Sequence, residues 1–161
     1  MTITIGIDPH KASHTAVAID NTEHVLDEIR VRACSAQTDQ LRCWATPFPD
    51  RVWAIESARG LGYLLAQQLV AAGEPVVDVP AVLSTRTRLL GSGRAQKNDP
   101  NDARSVAITA LRNDALSRVS VDDHAQARLR MRRKAFHDVR ACLGNPPRAG
   151  ISSATCRLLL M

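Results

Sequence analysis

Three strand patterns come before any helical pattern in this chain, and that order restricts the possible folds more than any other feature. Isoleucines alternate with other residues over positions 3–7, and Asp8 follows directly. Short turns separate this segment from apolar strands at residues 14–19 and 25–31. Because strands joined by short turns pair antiparallel, the N-terminal part predicts a meander of three strands.

Helical and strand patterns alternate after the meander. A helix is expected from Thr38 to about Ala45, with Ser35 or Thr38 as its N-cap. A strand over residues 51–56 follows and ends on the carboxylate of Glu56.

A further helical spacing stops at Gly73, a suitable C-terminal residue, and a fifth strand spans residues 75–79. A strand–helix–strand unit of this length predicts a parallel pair with a crossover helix. Two more helical patterns follow, one after Pro80 and one from Asp99 to Arg112. The order predicts an α/β domain with a mixed five-stranded sheet and flanking helices, as in ribonuclease-H-like domains.

Charge divides the chain into two parts. The 161 residues carry a formal net charge of +5, yet residues 1–120 hold 13 basic and 13 acidic side chains. Residues 121–161 hold 8 basic and 3 acidic side chains, which is the whole excess. We therefore expect one α/β domain over residues 1–120 and a basic, helical or disordered tail over 121–161. Basic tails often contact phosphate backbones.

Composition argues against several classes of protein. The longest apolar run is only a few residues, whereas a membrane helix needs about 20. The N-terminus has neither the basic region nor the cleavage site of a signal peptide. The four cysteines form no C-x-x-C pair, which argues against a disulfide scaffold and a zinc site. We expect a cytoplasmic protein without membrane contact.

Carboxylates end two of the predicted strands. Asp8 follows the first strand and Glu56 ends the fourth. If these strands are neighbours, the two carboxylates meet at the carboxyl edge of the sheet, where sites form in open α/β folds. A divalent cation would remove the repulsion between them, and oxygen ligands suit Mg²⁺ or Mn²⁺.

Asp99 and Asp102 are three residues apart at a helix start and can face the same direction. Four carboxylates in all can hold two metal ions, the arrangement that serves phosphodiester chemistry. The structural alternative is that Asp99 caps the helix with Pro100 at its first position. Asp8 and Glu56, taken singly, fit solvated turn residues better than metal ligands, and it is their joint placement that favours a metal site.

Basic residues near these carboxylates are candidates for nucleic-acid contact. Arg94 and Lys97 lie in a glycine-containing loop and suit phosphate contact. His10 and Lys11 lie in the turn after Asp8, where a solvated role is expected and a phosphate contact is the alternative.

Three motifs stand out, at residues 6–11 (GIDPHK), 54–60 (AIESARG) and 93–104 (GRAQKNDPNDAR). In their order and spacing they closely resemble the motifs of DEDD-type transposases of the bacterial insertion sequence 110 family, recombinases whose N-terminal domain is RuvC-like. The resemblance covers residues 1 to about 125. It implies that the catalytic and metal-binding tetrad is Asp8, Glu56, Asp99 and Asp102. It also implies DNA strand cleavage and exchange, a structured bridge RNA and a homo-oligomer. The residues that we expect to contact nucleic acid are Lys11, Arg94, Lys97 and Arg104.

The chain departs from the family beyond about residue 127. Family members are more than twice as long and carry a C-terminal domain with a nucleophilic serine, and neither Ser152 nor Ser153 matches that serine's context. The hypothesis is a frameshift or truncation that leaves residues 128–161 out of frame. Such a chain is expected to bind Mg²⁺ and nucleic acid but to fail in recombination alone.

Three other functions stay open from the sequence. One is a complete ribonuclease-H-like nuclease or resolvase, and another is a non-catalytic remnant that binds nucleic acid. The third is a fragment of an actin-like ATPase or kinase, suggested by residues 6–8 (GID). Pro9 disfavours this third function, because it removes a backbone donor from the phosphate loop.

Overall fold

The computed structural model describes residues 1–90 and 99–121, with the backbone alone for Leu90 and Asp99. The strands are β1 (Ile3–Pro9), β2 (Ser13–Ile19), β3 (Val25–Arg32), β4 (Arg51–Glu56) and β5 (Val76–Val79). The helices are α1 (Gln37–Trp44), α2 (Tyr63–Ala71), α3 (Ala81–Leu90) and α4 (Asp99–Leu111). The predicted loop over residues 91–98 and the predicted tail beyond residue 121 lie outside the described residues.

The strands form one mixed sheet in the order β3-β2-β1-β4-β5. β1 pairs antiparallel with β2, and β2 with β3, whereas β4 pairs parallel with β1 and with β5. The predicted meander followed by parallel strand–helix units is therefore confirmed. Beyond β5, the Val119 amide donates to the Val76 carbonyl at 2.9 Å, so residues 117–119 cover part of that edge.

Apolar packing differs on the two faces of the sheet. The isoleucines of β1 face α1 and α2, where they pack with Leu41, Trp53 and Leu65. On the opposite face, Val17 packs against Ala103 and Ala107 of α4. Because side chains alternate along a strand, the residues between the β1 isoleucines, Gly6 among them, face α4.

Gly6 lets α4 lie directly on β1. A Cβ added at Gly6 would stand 2.2 Å from the Ala103 carbonyl oxygen and 2.5 Å from the Ala107 amide nitrogen. At the other end of α4, Arg112 pairs with Glu23 in the turn between β2 and β3. That turn lies at the amino end of β1, so the first turn of α4 points to the carboxyl end.

Helix ends agree only in part with the sequence. Gly73 follows α2 with a φ of 83° and donates to the Val70 carbonyl, as its predicted place at the C-terminus requires. The predicted cap of α1 is wrong. Ala36 is the N-cap without a side-chain bond, and Thr38 lies inside the helix and donates to Gln68 Oε1 at 3.0 Å.

Within residues 1–90 and 99–121, no helix is both long enough and apolar enough to cross a membrane.

Candidate metal and nucleic-acid site

Two predicted site carboxylates come from neighbouring strands. Ile7 of β1 and Ile55 of β4 form the last registered pair of the parallel ladder, and the next residues are Asp8 and Glu56. Since the strands run in the same direction, both carboxylates lie at the carboxyl edge. Alternation turns both of them away from the isoleucines and towards the face that carries α4. The adjacency on which the sequence hypothesis depends is present.

The Asp8 carboxylate is almost wholly buried, with 5% of the residue exposed. Its Oδ2 lies 3.1 Å from Nε2 of His10, whose side chain is 43% exposed. A buried carboxylate needs polar partners to offset its lost hydration, and His10 is one of them. His10, expected as a solvated turn residue, is partly exposed as expected, and its ring also folds back onto Asp8.

Helix α3 supplies partners for two other carboxylates. The Ser84 hydroxyl donates to Glu56 Oε1, and Arg88 Nη1 donates to Asp102 Oδ1 at 2.5 Å. Ser84 and Arg88 are four residues apart and therefore share one face of α3. A serine and an arginine at that spacing were the only signal in the sequence, and the sequence analysis missed them.

The fourth predicted carboxylate belongs to Asp99, the first residue of α4, and its side chain lies outside the described part of the structure. Among residues 1–90 and 99–121, no three His, Cys, Asp or Glu side chains are grouped so that they could hold a metal ion. The described carboxylates thus occupy the edge and the helix above it, each with a protein partner, without forming a closed ligand cluster.

One buried hydroxyl at this edge was also missed. Thr15 of β2 is the registered partner of Asp8, and its residue is 3% exposed. Its Oγ1 is buried and has no hydrogen-bond partner among the described residues. A buried hydroxyl without a hydrogen-bond partner fits a site that takes up a hydrated cation, and the carboxylate oxygens nearby suit Mg²⁺ or Mn²⁺.

The two predicted nucleic-acid contacts that the structure describes lie at different ends of the sheet. Lys11 is exposed in the turn between β1 and β2, at the same edge as Asp8. Arg104 is exposed on α4, and its Nη2 donates to the Glu23 carbonyl at 3.3 Å, which directs it to the opposite end of the sheet. Arg94 and Lys97 lie outside the described residues.

Two arginines of β3 add positive charge beside the site. Arg30 is the registered partner of Thr15, and Arg32 is the partner of Ser13. Both are exposed, and Arg30 Nη2 donates to Ser13 Oγ at 3.0 Å. The alternation of Arg30 and Arg32 around buried Val31 was the signal in the sequence that could have identified them.

The fold is that of RuvC-like, ribonuclease-H-like domains. RuvC of Thermus thermophilus, solved in complex with a Holliday junction substrate, aligns with a TM-score of 0.54 and 16% identity over 74% of this chain and 100% of that chain. Another Thermus thermophilus RuvC structure aligns with a TM-score of 0.51 and 18% identity, over 73% of this chain and 99% of the other.

Within that class the chain belongs to the DEDD-type transposase family of insertion sequence 110, whose family model, described as a transposase, matches residues 5–142. A relative from Streptomyces clavuligerus, the "Insertion element IS116 uncharacterized 44.8 kDa protein", is 35% identical over 114 residues. That match covers 70% of this chain and 28% of the relative, so the chain spans under a third of the length of that relative.

Proposed function

We propose that this domain binds DNA and takes part in metal-dependent phosphodiester cleavage and strand exchange during DNA transposition. The observation that carries the proposal is the position of Asp8 and Glu56 on adjacent parallel strands in a chain of the transposase family. Carboxylates at the carboxyl edge of an α/β sheet stand where such folds bind ligands. The DNA substrate makes a cytoplasmic location part of the same proposal.

The residues that would hold divalent cations are Asp8, Glu56, Asp99 and Asp102. Mg²⁺ or Mn²⁺ would supply electrostatic stabilisation of the attacking and leaving oxygens of a phosphodiester. The unpartnered Thr15 hydroxyl and the all-oxygen donor set support this assignment. Asp102 directly precedes Ala103, whose carbonyl oxygen lies against Gly6, so the position of α4 on β1 sets how closely Asp102 approaches the edge.

The other residues of the site hold these carboxylates and the DNA. Ser84 orients Glu56 by its hydrogen bond, and Arg88 balances the charge of Asp102. His10 orients the buried Asp8. Phosphates beside the reacting one would meet the exposed basic side chains at the edge, which we assign to Lys11, Arg30 and Arg32. Arg94 and Lys97 stay candidates from the sequence alone, and Arg104, which reaches Glu23 at the opposite end of the sheet, would contact DNA only away from the reacting phosphate.

The matched relative is much longer than this chain. The serine domain, the bridge RNA and the homo-oligomer are implied by family resemblance, and the chain covers 28% of the relative to which it is matched. We propose that these 161 residues by themselves bind metal and DNA without completing strand exchange, because the family resemblance assigns the nucleophilic serine to a separate C-terminal domain. Strand exchange by this chain alone would contradict that part of the proposal.

A stand-alone nuclease is the second candidate. The alignment covers 100% of a RuvC chain solved in complex with a Holliday junction substrate, and this likeness supports a nuclease as the alternative. Such an enzyme would cut branched DNA by itself, whereas the transposase domain would bind it without releasing products. The two functions thus differ in one assay.

The test is binding and cleavage of a labelled four-way DNA junction with and without Mg²⁺. Wild type is compared with Asp8→Asn and with Asp39→Asn, whose exposed carboxylate lies on α1, beneath the other face. We expect Mg²⁺ to strengthen DNA binding in wild type and Asp39→Asn but not in Asp8→Asn. Equal behaviour of all three proteins would reject the proposed site, and Asp8-dependent products would favour the nuclease.

A further inference from the structure

We propose that Thr15 is a positioning residue of the metal site, whose hydroxyl holds a water molecule that hydrates the cation beside Asp8. This inference rests on the proposed function, since it assigns a partner to a hydroxyl next to one of the proposed ligands. Neither the motifs nor the family resemblance singles out Thr15.

The sheet register places Thr15 directly beside Asp8. The two residues are Cα partners in the antiparallel β1–β2 ladder. Directly opposed residues project from the same face of a sheet, with Cβ atoms about 4.5–5.5 Å apart. Two residues further along β2, Val17 packs against α4, so Thr15 points to the face that carries the first turn of α4. Its hydroxyl is therefore at the proposed site rather than in the core under α1 and α2.

The hydroxyl lacks the partners that similar groups have in this protein. Thr15 is 3% exposed, yet its Oγ1 has no hydrogen-bond partner within the described residues. By contrast, the buried Thr109 hydroxyl donates to the Ser105 carbonyl at 2.7 Å, and Thr38 donates to Gln68. An unsatisfied buried hydroxyl is costly, so its presence needs a ligand or an ordered water.

A water molecule fits this position better than a direct bond to Asp8. The carboxylate of the register partner is close, but Thr15 Oγ1 makes no hydrogen bond to it. Polar groups that face each other without direct contact are commonly bridged by water. Mg²⁺ keeps several of its waters when it binds to proteins, and groups that hold these waters tune its affinity.

A packing role makes the opposite prediction for one substitution. Valine has nearly the shape of threonine and suits a buried strand, so Thr15→Val removes the hydroxyl and leaves no cavity. If Thr15 only fills space, the valine variant melts at or above the wild-type temperature and binds metal equally well. If the hydroxyl holds a water of the cation, the valine variant is equally stable without metal but binds metal more weakly.

The experiment measures Mn²⁺ binding by electron paramagnetic resonance, together with thermal melting without metal. We expect Thr15→Val to melt no lower than wild type and to bind Mn²⁺ about 10-fold more weakly, as loss of an outer-shell partner does at metal sites. Thr15→Ser, which keeps the hydroxyl, should retain most of the affinity. Thr15→Ala should lose affinity to the same extent as Thr15→Val. The alanine variant takes the place of the valine variant if the latter does not fold.

Thr4→Val is the matched control. Thr4 is buried on the same face of β1, four residues before Asp8, or about 13 Å along the strand. The Mn²⁺ affinity of Thr4→Val should equal that of wild type. If wild type binds Mn²⁺ and Thr15→Val binds it equally well, the role of Thr15 is overturned but the proposed metal site is not. Absence of Mn²⁺ binding in wild type would instead overturn the proposed metal site and this inference with it.

Discussion

The two faces of the sheet are filled by side chains of different size. Trp53 and Leu65 are fully buried on the face towards α1 and α2. Gly6 meets Ala103 and Ala107 on the face towards α4. Large apolar side chains remove more surface from water and so stabilise the fold more. The small residues contribute less, but they let α4 approach β1 closely and bring polar side chains to the carboxyl edge. One face thus contributes most to stability, and the other carries the proposed site.

The largest expected effect is on stability and comes from the face towards α1 and α2. Leu65 is 1% exposed in that core. Leu65→Ala should lower the free energy of unfolding by about 2–5 kcal/mol, because it leaves a cavity. Urea denaturation measures the loss. The Mn²⁺ affinity of the remaining folded protein should equal that of wild type. A parallel loss of affinity would show that the two faces are not separate in function.

Gly6→Ala tests the other face. The added Cβ would overlap backbone atoms of α4, so the helix must move, at a cost of about 1–3 kcal/mol. Because that helix carries Asp102, Mn²⁺ affinity should fall as well. Gly60→Ala is the matched control, since its Cβ would stand 3.5 Å from the Ser57 carbonyl oxygen, an ordinary contact. If Gly6→Ala kept full affinity, close approach of α4 would not be needed for the site.

Glu74 provides a pH test on the face away from the site. Burial raises its pKa, but hydrogen bonds from Arg51, Trp53 and Arg42 outweigh burial and leave the pKa below the ordinary value of 4.5. A lowered pKa in the folded state stabilises the protein above the unfolded pKa, and this contribution is lost as pH falls through the folded pKa. Glu74→Gln should therefore cost about 1 kcal/mol near pH 7.

The cost of Glu74→Gln should shrink as the pH falls below 4.5, where the unfolded chain takes up a proton, and should vanish below the lower pKa of the folded state, where the folded wild-type carboxyl is protonated too. Denaturation at a series of pH values measures it, with the exposed Glu28→Gln as control. A cost that stays constant with pH would show that the charge of Glu74 does not stabilise this face.

The smallest expected effect concerns Arg88. Its guanidinium pairs with Asp102 at 2.5 Å and competes with any cation for that carboxylate. Arg88→Gln should therefore bind Mn²⁺ about threefold more tightly, as expected for one charge removed near a partly exposed site. Arg42→Gln, which breaks an ion pair with Glu74 on the other side of the sheet, should leave affinity unchanged. Weaker binding in Arg88→Gln would mean that Arg88 orients Asp102 rather than competing for it.

The sequence predicted the sheet well because its signals are local. The order of strand and helix patterns predicted the meander and the parallel strand–helix unit, and the structure adds that β1 and β4 are parallel neighbours, which places Asp8 next to Glu56. The sequence failed where contacts depend on tertiary packing. Thr38 was a predicted N-cap of α1. In the structure its hydroxyl instead donates a hydrogen bond to Gln68 of the neighbouring helix α2.

The partners of the carboxylates were hidden for the same reason. Ser84 reaches Glu56 from a helix 28 residues away in the chain, and no local pattern reveals that contact. The position of Thr15 beside Asp8 depends on the exact register of β1 and β2. Alternation in the sequence predicts which face of a strand a residue occupies, but not its partner on the next strand. Sequence reasoning could therefore identify the candidate ligands but not the groups that hold them.

The most direct test of the central claim is a crystal structure with Mn²⁺ and its anomalous scattering. If the carboxyl edge of β1 and β4 is the metal site, an anomalous peak should lie between the carboxylates of Asp8 and Glu56, and Asp102 should turn from Arg88 towards it. The peak should disappear in crystals of Asp8→Asn grown under the same conditions. No peak at that edge at saturating Mn²⁺, or a peak that persists in Asp8→Asn, would contradict the account.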